Sequence, residues 1–324
     1  IDLPDRSILD GSREVEVTAS AAAPAMTALE GGGFAVSSNA GYTGILAQYG
    51  GAQTSYTATF GADGAPVATP VQITPWVGTG SYSYDRGNFV GDSAALPGGG
   101  YVVTTRMGID APGSEGDEPD AGVLILSASG TLVTAPFAAN TSDEYIRAPS
   151  VAALSDGSFV VAWQGDTDTF WRRFAADGTP LTGEQGLGRL MSAPQISPMR
   201  DGGFLIAGLY ITSFGQPAYA TWAQRFDAAG QPVGELFEST DRGDYGINYF
   251  RSAPQITVLP DGRMVMLLNG EGWGDAVSEV VLVPLRAELV GTPGPDPMMA
   301  GDVPSALFGF AGDDDLTGGA AGDL

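Results

Sequence analysis

The chain has 324 residues, with 38 acidic residues against 14 basic ones, all Arg, and a formal net charge of −24. It contains no Cys, His or Lys. That excludes Ser-His-Asp and Cys-His nucleophiles, zinc sites built on Cys or His, and Lys-dependent phosphate or Schiff-base chemistry. Carboxylate, Tyr and Arg chemistry and oxygen-ligated cations remain. Nucleic acid and anionic membrane surfaces are disfavoured partners, and no apolar run is long enough for a membrane span.

In chain order, Ile1 reads as the residue after a processed or trimmed segment. Arg13-Glu14-Val15-Glu16-Val17-Thr18 then alternates polar and apolar, as a half-buried strand does. A hairpin follows, and it recurs five times: Leu29–Phe34, Leu96–Tyr101, Leu154–Phe159, Met199–Phe204 and Leu259–Met264. Each places an apolar residue, a Gly-containing turn and a new apolar run in sequence. The spacing predicts equivalent buried positions for Phe34, Tyr101, Phe159, Phe204 and Met264.

A second hairpin follows each copy of the first. It is clearest at Arg225–Gly234 and is echoed at Phe60–Val67, Phe174–Leu181, Leu126–Val133 and Leu285–Gly291. Two hairpins make four antiparallel strands in a unit of about 55 residues, the pattern of a β-propeller blade. The fold expected over residues 1–292 is therefore an all-β, β-propeller-like repeat of five four-stranded blades. The strand near Val15 would close the last blade and cover its edge. A twisted stack or sandwich of the same hairpins is the alternative.

The segments before the first hairpins carry Arg and often Tyr: Tyr82, Tyr84 and Arg86; Tyr145 and Arg147; Arg189; and Tyr245, Tyr249 and Arg251. In a propeller these loops converge on one mouth, where Arg suits carboxylate or sulfate and Tyr adds an apolar face. The competing reading pairs each Arg with a nearby acid such as Asp85, Asp143 or Asp244. Asp110–Asp120 concentrates five carboxylates, either a calcium loop or a solvated one. Trp163 and Trp222 lie in strand-like runs and read as core. Trp76 and Trp273 are the better candidates for stacking on sugar.

After a linker at 293–305, residues 306–324 are rich in Gly and Asp. In Gly309–Leu324, Asp314 and Asp323 fall on the acidic position of the nonapeptide G-G-x-G-x-D-x-U-x, and Leu316 falls on its apolar position. Phe310 and Ala321 depart from it. This tail resembles the start of an RTX calcium-binding β-roll. Ala148–Gln164 with Trp171–Phe174, and the echo at Ala253–Gly262, resemble the repeats that precede such tails in secreted bacterial proteins. The resemblance implies calcium on Asp314 and Asp323, continuation of the natural chain beyond Leu324, type I secretion and an extracellular life. It implies an often adhesive or matrix-associated protein and no particular reaction; with the Arg and Tyr segments, the expected function is a non-catalytic binding or structural module contacting acidic polysaccharide, matrix or another protein. The alternative function is a polysaccharide-active enzyme, either a Tyr/Arg uronate lyase or a glycosidase with two opposed carboxylates.

Overall fold

The computed structural model describes residues 21–40, 54–73, 89–107, 120–211, 219–238, 249–250, 255–258, 263–271, 276–284, 287–290, 295, 297–299, 305–308, 313 and 315–318. Among them every helical or extended element is a β-strand. Among the described residues the chain is an all-β, β-propeller-like repeat with five four-stranded antiparallel sheets.

Sheet one runs β1 (Ala21–Ala28), β2 (Phe34–Ala40), β3 (Thr54–Phe60), β4 (Val71–Ile73). Sheet two runs β5 (Phe89–Ala95), β6 (Tyr101–Met107), β7 (Asp120–Leu126), β8 (Phe137–Ala138). Sheet three holds β9 (Arg147–Ala153), β10 (Phe159–Gln164), β11 (Thr169–Phe174) and β12 (Gln185–Gly186). Sheet four holds β13 (Ser192–Pro198), β14 (Phe204–Ile211), β15 (Tyr219–Phe226) and β16 (Pro232–Glu238).

In sheet five, β17 (Tyr249–Phe250) and β18 (Gln255–Val258) pair with one edge of β19 (Arg263–Glu271), and β20 (Ala276–Pro284) pairs with the other. The strand expected near Val15 lies outside the described residues. The chain divides into two compact units, residues 1–143 with sheets one and two, and residues 144–324 with the rest.

The hairpins share one closure. At Leu154–Ser158, Gly157 N–H donates to Leu154 O at 3.0 Å and Leu154 N–H donates to Ser158 O at 2.8 Å, with Gly157 at φ 87°. The same pair of bonds closes the turns that begin at Leu29, Gly61, Leu96, Ser127, Ala175, Met199 and Asp227. The fourth residue of each is a left-handed Gly, a conformation that costs other residues a Cβ clash. In five of these turns an Asp accepts the N–H two residues on, as Asp156 does from Ser158.

This closure fixes register. Phe34, Tyr101, Phe159, Phe204 and Met264 each pair with the last residue of the preceding strand. Tyr101, Phe159 and Phe204 are fully buried. Phe34 is half-buried. Tyr101 packs against sheet one and Phe204 against sheet three.

Between sheets three and four, the Trp171 ring centroid lies 5.1 Å from those of Phe204 and Phe226. The position of Trp171 is taken in sheet one by Thr57, and there a Tyr replaces Phe204. The Tyr101 hydroxyl fills the gap, 3.1 Å from Thr57 Oγ1 and 2.9 Å from Thr59 Oγ1. A large-on-large contact is exchanged for a small-on-long one, and density is kept.

A buried guanidinium also joins sheets three and four. Arg173 Nη2 meets Asp156 Oδ2 at 2.5 Å, Nε donates to Ser158 Oγ at 2.9 Å, and Nη1 donates to Ala228 O in the neighbouring sheet. Arg225 repeats the ion pair with Asp201. The entry strands β9 and β13 bulge where Ala148-Pro149 and Ala193-Pro194 each oppose a single residue, with Ala148 at φ 45° and Ala193 at φ 48°.

Past sheet five the pairing becomes parallel. β21 (Ala287–Val290) pairs with β23 (Ser305–Phe308), and β22 (Pro297–Met299) with β24 (Asp315–Thr317), each at an offset of 18 residues. Leu289, Met298, Leu307 and Leu316 recur at nine-residue intervals through these four strands. Segment 293–305, read as a linker, contains β22, and the parallel pairing begins at Ala287.

Two outcomes follow. Phe159→Ala, which removes a fully buried ring stacked on Phe174 at 5.4 Å, destabilises the protein by about 3–5 kcal/mol in denaturant unfolding. For Asp156, burial pushes the carboxyl up, but the Ser158 hydroxyl and amide and the Arg173 guanidinium outweigh it and hold the group below its ordinary value. Its contribution is therefore complete above the unfolded-state value of about 3.9 and is lost as pH falls through the folded-state value. The gap in melting temperature between the native protein and Asp156→Asn narrows between about pH 6 and about pH 3. A gap that stays constant over that range contradicts this account.

Candidate functional site

Strand direction alternates, so each sheet has two ends. The glycine hairpins close one end. The other end carries the loops from second to third strands and the segments entering each first strand. In the second unit this end gathers three pieces of chain: Glu144–Arg147 before β9, the four-residue loop Gly165–Asp168 between β10 and β11, and Leu187–Met191 before β13.

The loop is tight because Gly165 N–H donates to Asp168 O at 2.9 Å. Its acids and Glu144 act as scaffolding. Glu144 Oε2 accepts from Asp166 N at 2.8 Å, and Oε1 accepts from Thr167 Oγ1 at 3.2 Å. Asp168 Oδ1 accepts from Thr169 N and Arg189 N, both at 2.7 Å, and its Oδ2 accepts from Gly188 N at 3.0 Å. Asp166 Oδ2 accepts from Tyr145 N at 3.4 Å. One loop thus anchors both entering segments.

On this frame lie two guanidinium–aromatic stacks. The Arg147 Cζ sits 4.3 Å from the Tyr145 ring centroid, and Nη1 meets Asp166 Oδ1 at 3.0 Å and Tyr145 O at 3.4 Å. The Arg189 Cζ sits 4.7 Å from the ring centroid of Trp222, itself buried in the core between sheets three and four. Arg189 is exposed, and no described carboxylate lies within ion-pair distance of its guanidinium.

The structure brings together Tyr145, Arg147 and Arg189 of the residues singled out from sequence. Tyr249 is described only through its backbone, in β17. Tyr82, Tyr84, Arg86, Arg251, Asp314 and Asp323 lie outside the described residues, as do Trp76 and Trp273. Trp163 is buried, as expected of core. Arg147 pairs with Asp166 across the sheet, not with its neighbour Asp143. Of the acidic stretch 110–120, Asp120 is described, and it is buried with Asn140 Nδ2 donating to its Oδ1 at 2.7 Å. Among the described residues no three acids converge to hold a metal ion.

Sequence reading missed Glu144, Asp166 and Asp168. The available signal was the Gly-Asp-Thr-Asp break between two strand-like runs, directly opposite the entry segments.

No family profile and no curated protein matches the chain. Among solved structures, a protein of unknown function from Dyadobacter fermentans DSM 18053 is similar over 82% of this chain and 76% of its own, at 15% identity and a TM-score of 0.59. An endo-arabinase from Bacteroides thetaiotaomicron VPI-5482 aligns over 81% of this chain and 93% of its own, at 12% identity and a TM-score of 0.42. The polysaccharide lyase Uly1 aligns over 81% of this chain and 57% of its own, at 9% identity and a TM-score of 0.46. At such identities the first likeness is one of fold.

A Cβ on Gly165 would run into Glu144 Oε2 and sit 2.8 Å from Phe170 Cε2. Gly165→Ala is therefore expected to displace Glu144, destabilise the protein by about 1–3 kcal/mol, and speed hydrogen exchange at the Asp166 amide. Unchanged exchange there would show that Glu144 does not hold the loop.

Proposed function

We propose that this chain is a non-catalytic binding module of a secreted, extracellular RTX-type protein. Its Arg- and aromatic-bearing end contacts an acidic polysaccharide or matrix component. The observation that carries the reading is the pair of stacks, Arg147 on Tyr145 and Arg189 on Trp222, held by a single loop. A stacked guanidinium is preorganised, and its planar fork matches a carboxylate or sulfate. The global charge of −24 opposes such a ligand at long range, but screening limits that repulsion to about 8 Å at physiological salt.

Binding is favoured over hydrolysis by the state of the acids. Glu144 and Asp168 each use both oxygens as acceptors from the scaffold, and Asp166 is paired with Arg147. A glycosidase needs one carboxyl to protonate the leaving group and another to attack or activate water.

The calcium part of the proposal rests on the C-terminal strands. Their 18-residue parallel offset equals two nonapeptides and supports the RTX reading. On that reading Asp314 and Asp323, with backbone carbonyls, supply the oxygen donors that a hard cation requires.

Affinity electrophoresis and calorimetry on polygalacturonate, with and without calcium, test the proposal. Arg147→Gln with Arg189→Gln is expected to abolish retention and leave the melting temperature nearly unchanged, since exposed ion pairs contribute little to stability. Retention by the double variant would remove these arginines from the ligand face. New unsaturated ends in the polysaccharide would favour the lyase alternative. Calcium binding is expected to tighten when several nonapeptides are appended, since on the RTX reading successive turns supply the donors together; unchanged affinity would contradict that reading.

A further inference from the structure

The two arginines of this end are not in the same state. Arg189 lies exposed over Trp222 with no described acid on its guanidinium. Arg147 is occupied: Asp166 Oδ1 takes Nη1 at 3.0 Å, with side chains 42% and 51% exposed. Asp166 is also not needed there to satisfy a buried charge, because at this exposure water would serve the guanidinium. Its loop is held independently by Glu144 on the Asp166 amide and by Asp168 on the next strand and the next entry segment.

We propose that Asp166 determines ligand specificity as a built-in competitor: its carboxylate occupies the place on Arg147 that a ligand carboxylate would take. The inference rests on the reading of this end as an acidic-glycan surface. It divides the labour within that surface. Arg189 is the open anchor for the first acid group of the ligand. Arg147 engages a second acid group only when that group displaces Asp166. A chain carrying closely spaced carboxylates outcompetes the tethered Asp166, whereas a sparsely charged one does not. A neutral segment meets a carboxylate acceptor for its hydroxyls and an adjacent donor on Arg147, so Asp166 also serves the uncharged ligand that it leaves undisturbed.

The test uses the full chain with polygalacturonate and its methyl-esterified form as probes. Asp166→Asn keeps the shape and the acceptor for Tyr145 N–H but frees Arg147 from the ion pair. It is expected to tighten polygalacturonate binding by about two- to five-fold, the range of one exposed ion pair, with no gain for the esterified polymer. Asp177→Asn controls for bulk charge, since Asp177 is exposed in a glycine hairpin at the opposite end and caps only its own turn. Equal gains in both variants, or no gain in Asp166→Asn while the native protein binds, would overturn the competitor role and leave the glycan surface standing. Absence of polygalacturonate binding by the native protein and by Asp166→Asn alike would overturn both. Binding by Asp166→Asn alone would support both.

Discussion

The left-handed glycine that closes each hairpin is the constraint on which the rest depends. A strand slipped by one residue exchanges its two faces, so register decides what each sheet can bury. Here register is set by the same hydrogen-bonded turn at Leu154, at Met199 and at the other described glycine hairpins. With that fixed, Phe204 meets Trp171, Tyr101 meets Thr57 and Thr59, and Arg173 comes within reach of Asp156 and of the next sheet. None of these contacts would survive a shifted turn.

The second-order problem is how similar sheets pack without identical sequences. The interface between sheets three and four is aromatic, with Trp171, Phe204, Phe226 and Trp222 in one cluster. The interface between sheets one and two is aliphatic with a polar seam, where Thr27 Oγ1 meets Ser93 Oγ at 2.6 Å and Ser37, Thr57 and Tyr101 form a chain of hydroxyls. Each buried hydroxyl has a partner, so the polar seam avoids the desolvation cost of an orphaned group. The same backbone frame thus accepts two chemically different seams.

The sheets were legible in the sequence because Asp-Gly and Gly-Gly act locally; the turn needs nothing from the rest of the chain. The partners of the arginines were not, because Asp166 is 19 residues from Arg147 and reaches it only once β9 and β10 are paired. Proximity along the chain pointed to Asp143 instead. The C-terminal nine-residue period was read only over its last copies. Upstream, Ala287 and Ser305 replace the acid, which hides the copy between them, where Gly291, Gly294, Asp296 and Met298 keep the spacing. Pro293, Pro295 and Pro297 give that copy the look of a linker.

The change from antiparallel sheets to parallel strands at Ala287 alters the kind of cooperativity available to the chain. A four-stranded sheet closed by local hairpins can form as a self-contained unit, since its neighbours in sequence are its neighbours in space. A strand that pairs with one 18 residues later has no such partner until a full circuit is complete. Parallel pairs of this kind gain stability from each further pair stacked beside them, as a one-dimensional array does. On β22 and β24 the side chains of Met299 and Leu316 stay exposed, so this pair gains little from apolar burial there and leans on its backbone ladder.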